Sequence, residues 1–265
     1  MRISDGGRSP EAERARSEAV SRGTVPDLEI CVDESCGLTA AQRPCVARIE
    51  LCAALAQGGL TPSPGLIARA GGSSVPVFAL IRPRAGDFIY SDMETDQMLD
   101  DIAHMRQAGL AGVVIGCLDA EGRLDRARLA RLRRASLPLR CQLHRAIDLS
   151  VDPLQAIDIA IDLGFERVLS SGGARSAAEG AACLGRMMEH ARGRIEIMAG
   201  GGVRPDNVAE IYRTSGVNGF HASCRIACRV QDDRLDHFGF AARRGVTSAG
   251  EILRLSDALC ALAAA

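Results

Sequence analysis

The chain has 265 residues, 47% of them apolar, and its 32 Lys and Arg residues nearly balance its 33 Asp and Glu residues. A chain of this length and composition can bury one large core, so a single domain is expected. A formal net charge of -1 offers no broad basic surface for nucleic acid or for an anionic membrane. No apolar run reaches the roughly 18 residues of a membrane span. We therefore expect neither a nucleic-acid partner nor a membrane partner.

The ten cysteines have irregular spacings, and no signal-peptide apolar core follows Met1. Small secreted proteins with disulfide frameworks have shorter chains and ordered Cys patterns. We therefore expect reduced thiols and a cytoplasmic protein.

Residues 1–24 are rich in Arg, Glu, Ser and Gly and contain few large apolar side chains. Such a segment buries too little apolar surface to offset the entropy of ordering it. The sequence predicts a flexible tail over 1–24 and a folded domain over 25–265.

Eight short segments rich in Leu or β-branched residues are predicted as strands, because parallel strands covered by helices have this composition. They span residues 28–32, 47–51, 75–81, 112–118, 137–143, 167–169, 195–199 and 219–222.

Helix start signals separate many of these strands. Ser91 with Glu94 forms a capping box, Asp152 precedes a helix-compatible proline, and Ser248 with Glu251 forms another box. An open doubly wound sheet would give similar alternation. The count of eight strands favours an α/β fold of the (β/α)8 TIM-barrel type in a single domain.

Polar residues on the first two predicted strands share one face. Side chains alternate along a strand, so Glu29 lies on the same face as Cys31, and Arg48 on the same face as Glu50 and Cys52. The outward face of a barrel strand must meet apolar helices. The polar set is therefore predicted to lie inside the barrel, toward its mouth.

The same argument applies to polar residues near the ends of three further strands: Arg82 with Arg84, His144 with Asp148, and His221 with Ser223. We expect Glu50, Arg82 and His144 to face one cavity at the carboxyl ends of the strands. The alternative is an ion network in which buried charges pair with each other and bind nothing.

Two glycine segments, Gly172-Gly173 and Gly200-Gly201-Gly202, follow the sixth and seventh predicted strands. Glycine lets the backbone present its N–H groups closely to an anion, and barrels often bind phosphate in this region. We expect these segments and Arg82 to bind a small anion. The alternative is that they form tight turns that need a positive φ.

Two cysteines fall on predicted neighbouring strands, Cys31 on the first and Cys52 at the end of the second. Cu(I) prefers thiolate and imidazole ligands, and these sulfurs could approach each other. Free cysteine also packs as a small apolar residue, so a metal role and a packing role both stay open at this point.

The chain resembles the CutC family of copper homeostasis proteins. The resemblance extends over nearly everything after residue 24 and is carried by LEICVD at 28–33, RIELC at 48–52, GGLTPSPG at 58–65, IRPR at 81–84, GDF at 86–88, HRA at 144–146, SGG at 171–173, IMAGGGV at 197–203 and HAS at 221–223. It implies a cytoplasmic TIM barrel linked to copper tolerance, with Cys31 and Cys52 as the implied Cu(I) ligands.

Two functions follow from these observations. In the first, Cys31 and Cys52 hold Cu(I) with help from His144 or His221. In the second, the protein is a metal-independent lyase or isomerase that binds a small anionic substrate through Arg82 and uses Glu50 and His144 for proton transfer. An interaction module with a vestigial pocket is a third possibility. A homo-oligomer is compatible with each of them.

Overall fold

A computed structural model describes residues 25–232, 234–240 and 243–264, so the predicted tail over 1–24 lies outside the described residues. Eight parallel strands form a closed barrel in sequential order, with β8 pairing back onto β1. The strands are β1 Asp27–Val32, β2 Arg48–Leu51, β3 Val77–Leu80, β4 Gly112–Ile115, β5 Arg140–Leu143, β6 Arg167–Ser170, β7 Glu196–Gly200 and β8 Gly219–Ala222. The predicted TIM barrel is therefore confirmed.

Helices connect successive strands and cover the outside of the barrel. They are α1 Ser35–Ala41, α2 Pro64–Ala70, α3 Asp92–Gln107, α4 Arg126–Ser136, α5 Pro153–Asp162, α6 Ala181–Ala191, α7 Val208–Ser215, the one-turn α8 Arg234–His237 and the terminal α9 Ala249–Ala263. Short 3-10 helices cover Leu55–Gln57 and Arg145–Leu149. The predicted N-caps are confirmed at Ser91, Asp152 and Ser248, and Ser91 makes the full capping box with Glu94. Ser248 accepts the Glu251 N–H, which is one half of the box predicted there.

Four strands, β2 to β5, are shorter than their predicted segments. The clearest case is β5, which begins at Arg140 and not at Leu137. Leu137 is the C-cap of α4, and Pro138 has no N–H group to donate to a neighbouring strand. The predicted strand was therefore too long, because its apolar composition includes residues of the turn that precedes β5.

The alternation predicted for β1 and β2 is confirmed. Leu28, Ile30 and Ile49 belong to the large apolar core between barrel and helices. Glu29 and Arg48 point the other way and are 1% and 4% exposed. A polar interior needs partners, and the barrel supplies them across its axis.

Strands β9 (Arg225–Arg229) and β10 (Arg243–Thr247) form an antiparallel pair that the sequence reading missed. This pair follows β8 directly and packs beside α1, where Gly37 leaves room for Thr247. It brings Arg225 to the mouth of the barrel. Over the described ranges, no helix is both long enough and apolar enough to span a bilayer.

Candidate functional site

A cavity of about 470 Å³ opens at the carboxyl ends of the barrel strands. That size is typical of sites for small ligands. Its polar lining includes Cys31, Glu50, Arg82, His144, Arg145, Arg204, His221, Ser223, Arg225 and Glu251. Glu50, Arg82 and His144 all line this cavity, as expected from the sequence.

His221 is held in place by Glu29 at the cavity floor. The two residues are direct partners in the β1–β8 register, and His221 Nδ1 lies 2.8 Å from Glu29 Oε1. Cys31, two residues beyond Glu29 on β1, lies near the ring and favours its charged form. Burial disfavours a charged His221 ring, but Cys31 and Glu29 outweigh it and raise its pKa well above 6.5.

Below the cavity, Glu29 is the centre of an interior ion network. Arg48 Nε lies 3.3 Å and Arg167 Nη1 3.8 Å from Glu29 Oε2, while Gln142 donates to Glu29 Oε1 at 3.3 Å. Burial acts to raise the pKa of Glu29, but His221 and the two guanidinium groups outweigh it and lower the pKa. The predicted ion network therefore exists at this depth, one layer below the cavity.

Glu50 differs from Glu29 in having no ion-pair partner among the residues that the structure describes. Its Oε2 atom is buried without a hydrogen bond, and burial raises its pKa to about 7. Single ligand atoms of Glu50, Glu29 and His221 lie within 4.8 Å of one another. Carboxylates are hard ligands, and both oxygens of the Glu29 carboxylate already contact Arg48, Arg167 or His221. His221 is therefore the member of this group best suited to a soft metal.

The two cysteines differ in their access to the cavity. Cys31 pairs with Glu50 in the β1–β2 register and lines the cavity, whereas Cys52 lies just behind that wall. The Cys52 thiol contacts the Val32 carbonyl at 3.5 Å, and burial raises its pKa. A Cβ added at Gly59 would lie 2.7 Å from Leu80 Cδ2, so glycine at that position leaves room for the Leu80 side chain beside Cys52.

Arg82 enters the cavity from the loop after β3. Its Nη1 donates to the carbonyls of Gln57 and Gly59 at 3.0 and 2.9 Å, and its Nη2 donates to the Gly86 carbonyl at 2.8 Å. Its Nε–H is buried without a partner. Arg84, which the sequence placed beside it, points away and pairs with Asp87 and Glu94. The expectation for Arg84 was wrong because the chain is no longer extended after Leu80.

His144 caps the 3-10 helix Arg145–Leu149 at the end of β5. Its Nδ1 accepts the Ala146 N–H at 3.1 Å, so the proton of the neutral ring sits on Nε2, which is buried without a partner. Burial and the nearby Arg82 charge lower the pKa of His144 to about 3. The ring is therefore neutral in this geometry and can donate a hydrogen bond from Nε2.

Phe88 lies between these two donors, a residue to which the sequence analysis gave no role. Its ring centroid lies 4.9 Å from that of His144, and the Arg82 Cζ atom lies 4.8 Å from the same centroid. Gly116, after β4, leaves room for the imidazole, since a Cβ there would lie 2.6 Å from His144 Cε1. The GDF motif signalled Phe88, but nothing in the sequence singled out Gly116.

The two glycine segments have different surroundings. The N–H groups of Gly172 and Gly173 donate to Ser170 Oγ and Asp148 Oδ1, and neither glycine lines the cavity. Asp148, predicted to act beside His144, instead binds this turn and Arg145. The structure therefore does not bring Gly172 or Gly173 to the expected anion site.

The segment after β7 does reach the cavity. Gly201 and Gly202 line it with φ of +100° and +74°, a backbone region that favours glycine. Gly200, the last residue of β7, packs against Leu169 and His221 and does not line the cavity. Two of the five predicted glycines therefore face the candidate site.

Comparison with known proteins places this geometry in a family. The model of the CutC family matches residues 27–226. A CutC protein of Rhizobium meliloti (strain 1021) is 48% identical over 238 residues, covering 89% of this chain and 97% of the relative. The human copper homeostasis protein cutC homolog is 41% identical over 222 residues, covering 83% and 81%.

Solved structures agree with the sequence comparison. A CutC crystal structure from Streptococcus agalactiae is 32% identical, with a TM-score of 0.72 over 75% of this chain and 98% of that chain. An aldolase superposes with a TM-score of 0.55 at 14% identity, which shows the shared barrel fold alone. The family match extends over the whole barrel and includes each residue described above at the cavity from Cys31 to Arg225, so the chain belongs to the CutC family.

Proposed function

We propose that this protein acts in copper homeostasis by binding Cu(I) at the barrel mouth through Cys31, Cys52 and His221. The observation that carries the proposal is the hydrogen bond between Glu29 and His221 in a cavity that Cys31 also lines. A carboxylate on one ring nitrogen fixes the imidazole and leaves the other nitrogen for a metal, as is usual for metal-binding histidines. Thiolate and imidazole are also the ligand types that Cu(I) prefers.

A shared ion requires the two thiols to converge, because Cys31, Cys52 and His221 do not all lie within 4.8 Å of one another in this structure. Cys31 lies on the cavity wall, whereas Cys52, just beyond the end of β2, is buried with Phe78, Leu80 and Val114 and does not line the cavity. The Cys31 charge also contributes to the raised pKa of Cys52, which reflects their proximity. Cu(I) binding would replace the thiol protons. All ten cysteines are free thiols, as a reducing cytoplasm maintains them, and we place the function there.

The alternative of a metal-independent lyase or isomerase finds less support. That mechanism would need His144 to exchange a proton near neutral pH, but its Nδ1 is occupied and burial lowers its pKa to about 3. Proton transfer is most effective when the pKa of the group lies near the working pH.

An anaerobic competition titration against a coloured Cu(I) chelator tests the copper proposal. Wild type is expected to bind one Cu(I) per chain, and the Cys31→Ser, Cys52→Ser double variant is expected to lose stoichiometric binding. A serine at position 52 can still donate to the Val32 carbonyl, so the fold should be retained. Cys36→Ser and Cys228→Ser alter exposed thiols and serve as matched controls. Unchanged affinity in the double variant would overturn the proposal.

A further inference from the structure

We infer that the opposite wall of the cavity is a subsite for the carboxylate or phosphate group of a small molecule, formed by Arg82, His144 and the Gly201-Gly202 backbone. This site uses neither Cys31 nor Cys52, so it is independent of copper binding. The subsite would bind its ligand through negatively charged oxygen atoms, which both carboxylates and phosphates carry.

The first argument is the uncompensated charge of Arg82. Four arginines line the cavity, and three of them have acidic partners: Arg145 with Asp148, Arg204 with Asp206, and Arg225 with Asp33. Across the described ranges, Arg82 forms no ion pair, although the residue is buried, with 6% of its surface exposed. Backbone carbonyls orient its guanidinium but do not neutralise it. A buried charge without a counter-charge is costly, and an anion would remove that cost.

The second argument is a pair of free donors on the same wall. The Nε–H of Arg82 and the Nε2–H of His144 are both buried without partners, although nearly all buried polar atoms in folded proteins have one. Both side chains contact the Phe88 ring, and all three residues line the same cavity. A positive and a neutral donor, held by separate backbone contacts, suit an oxyanion that approaches from the cavity.

The third argument concerns the loop after β7. Gly201 and Gly202 line the same cavity, and among the residues described their N–H groups donate no hydrogen bond, whereas those of Gly172 and Gly173 donate to Ser170 and Asp148. Successive backbone N–H groups in a turn can form concave sites that bind anions. A side chain at Gly201 would lie 3.3 Å from the Arg145 guanidinium.

The neutral state of His144 decides how the subsite works. Because Nδ1 accepts a backbone N–H, the imidazole can only donate from Nε2, and burial keeps it uncharged. The ring therefore supplies a directed hydrogen bond, and Arg82 alone supplies the charge. The pair His144→Asn and His144→Gln separates these features. Asn retains an acceptor near Nδ1 and loses the cavity donor, whereas Gln places an amide N–H near Nε2.

The test uses inorganic phosphate and malonate as probes, with calorimetric titration and thermal unfolding at an ionic strength matched with potassium chloride. Wild type is expected to bind both and to unfold at a higher temperature in their presence. His144→Asn is expected to lower affinity about tenfold or more, the usual loss for a hydrogen bond to a charged group. His144→Gln should remain within a few-fold of wild type.

Arg82→Lys is expected to weaken binding as well, because lysine lacks the Nε–H donor and the planar fork. Arg84→Lys is its matched control, since Arg84 is on the same loop and points away from the cavity. The Cys31→Ser, Cys52→Ser double variant should bind phosphate like wild type, so failure of this inference is distinguishable from failure of the copper proposal.

Should the Arg82 or His144 variants fail to fold, nitrogen-15 NMR of the wild-type histidines gives an independent answer. His144 should appear as the neutral Nε2–H tautomer, with an Nε2–H signal that shifts on phosphate addition. The inference is overturned if neither probe stabilises wild type beyond potassium chloride, if folded His144→Asn binds both probes with unchanged affinity, or if the His144 signal does not respond.

Discussion

His221 Nδ1 lies 2.8 Å from Glu29 Oε1, and the same two residues are direct partners where β8 closes the barrel onto β1. The closure of the sheet therefore also orients the imidazole. Glu29 in turn lies 3.3 Å from the buried Arg48 guanidinium and 3.8 Å from Arg167. One carboxylate thus links the interior ion network to the candidate copper site above it.

Glu29→Gln is expected to destabilise the protein by about 3 kcal/mol or more, because Arg48 and Arg167 would remain buried without their shared counter-charge. Urea denaturation measures the loss. Glu166→Gln is the control: Glu166 pairs with Arg140 at the surface, where an ion pair contributes about 0–1 kcal/mol. Equal losses in the two variants would contradict the central role of Glu29.

Removal of His144 should change how stability depends on pH. Its pKa is about 3 in the folded protein and 6.5 in the reference state, so between these values the unfolded chain binds a proton that the folded chain does not. Stability therefore falls as pH drops below about 6.5, by up to about 1.4 kcal/mol per pH unit. This contribution is absent above that pH.

Urea denaturation of wild type and His144→Asn over this pH range checks the sign. The variant should lose less stability on acidification than wild type does. His104→Asn, which removes an exposed imidazole from α3, is the control substitution. Parallel pH profiles for wild type and His144→Asn would show that His144 is not a buried neutral group.

Gly116→Ala should affect both stability and anion binding. The added Cβ would lie 2.6 Å from His144 Cε1 and 2.7 Å from its Nδ1, which forces the ring from its hydrogen bond with Ala146. Overpacking of this kind costs about 1–3 kcal/mol. Urea denaturation and phosphate calorimetry measure the two effects.

Gly65→Ala in α2 is the matched control for Gly116→Ala, because no atom lies within 4 Å of its added Cβ. We expect it to leave phosphate binding unchanged and stability equal or slightly higher, since alanine favours helices. Gly116→Ala protein with wild-type stability and phosphate affinity would contradict the positioning role of Gly116.

The alternation of β1 and β2 was predictable because side chains along a strand have a period of two and only one face could meet apolar helices. That argument placed Glu29, Cys31 and Glu50 correctly. It failed for Arg84 because β3 ends at Leu80 and the following loop turns that side chain outward. Strand periodicity carries no information beyond the last extended residue.

Other features of the cavity depend on contacts between distant segments. Gly172 and Gly201 both lie in glycine-rich turns that follow a strand. Ser170 and Asp148 accept the N–H groups of Gly172 and Gly173, whereas no described residue accepts those of Gly201 and Gly202. The tautomer of His144 is set by one backbone N–H in a 3-10 turn. Neither relationship has a signature in a single sequence, whereas the family motifs did indicate which segments gather at the mouth.

X-ray absorption spectroscopy of the Cu(I)-loaded protein tests the copper site most directly. Wild type is expected to show copper bound to two sulfur atoms and one imidazole nitrogen. Cys52→Ser should lose one sulfur contribution, and His221→Gln should lose the imidazole signal, while Cys228→Ser should match wild type. A wild-type spectrum with only oxygen and nitrogen ligands, or one left unchanged by both Cys52→Ser and His221→Gln, would contradict the assignment of copper to Cys31, Cys52 and His221.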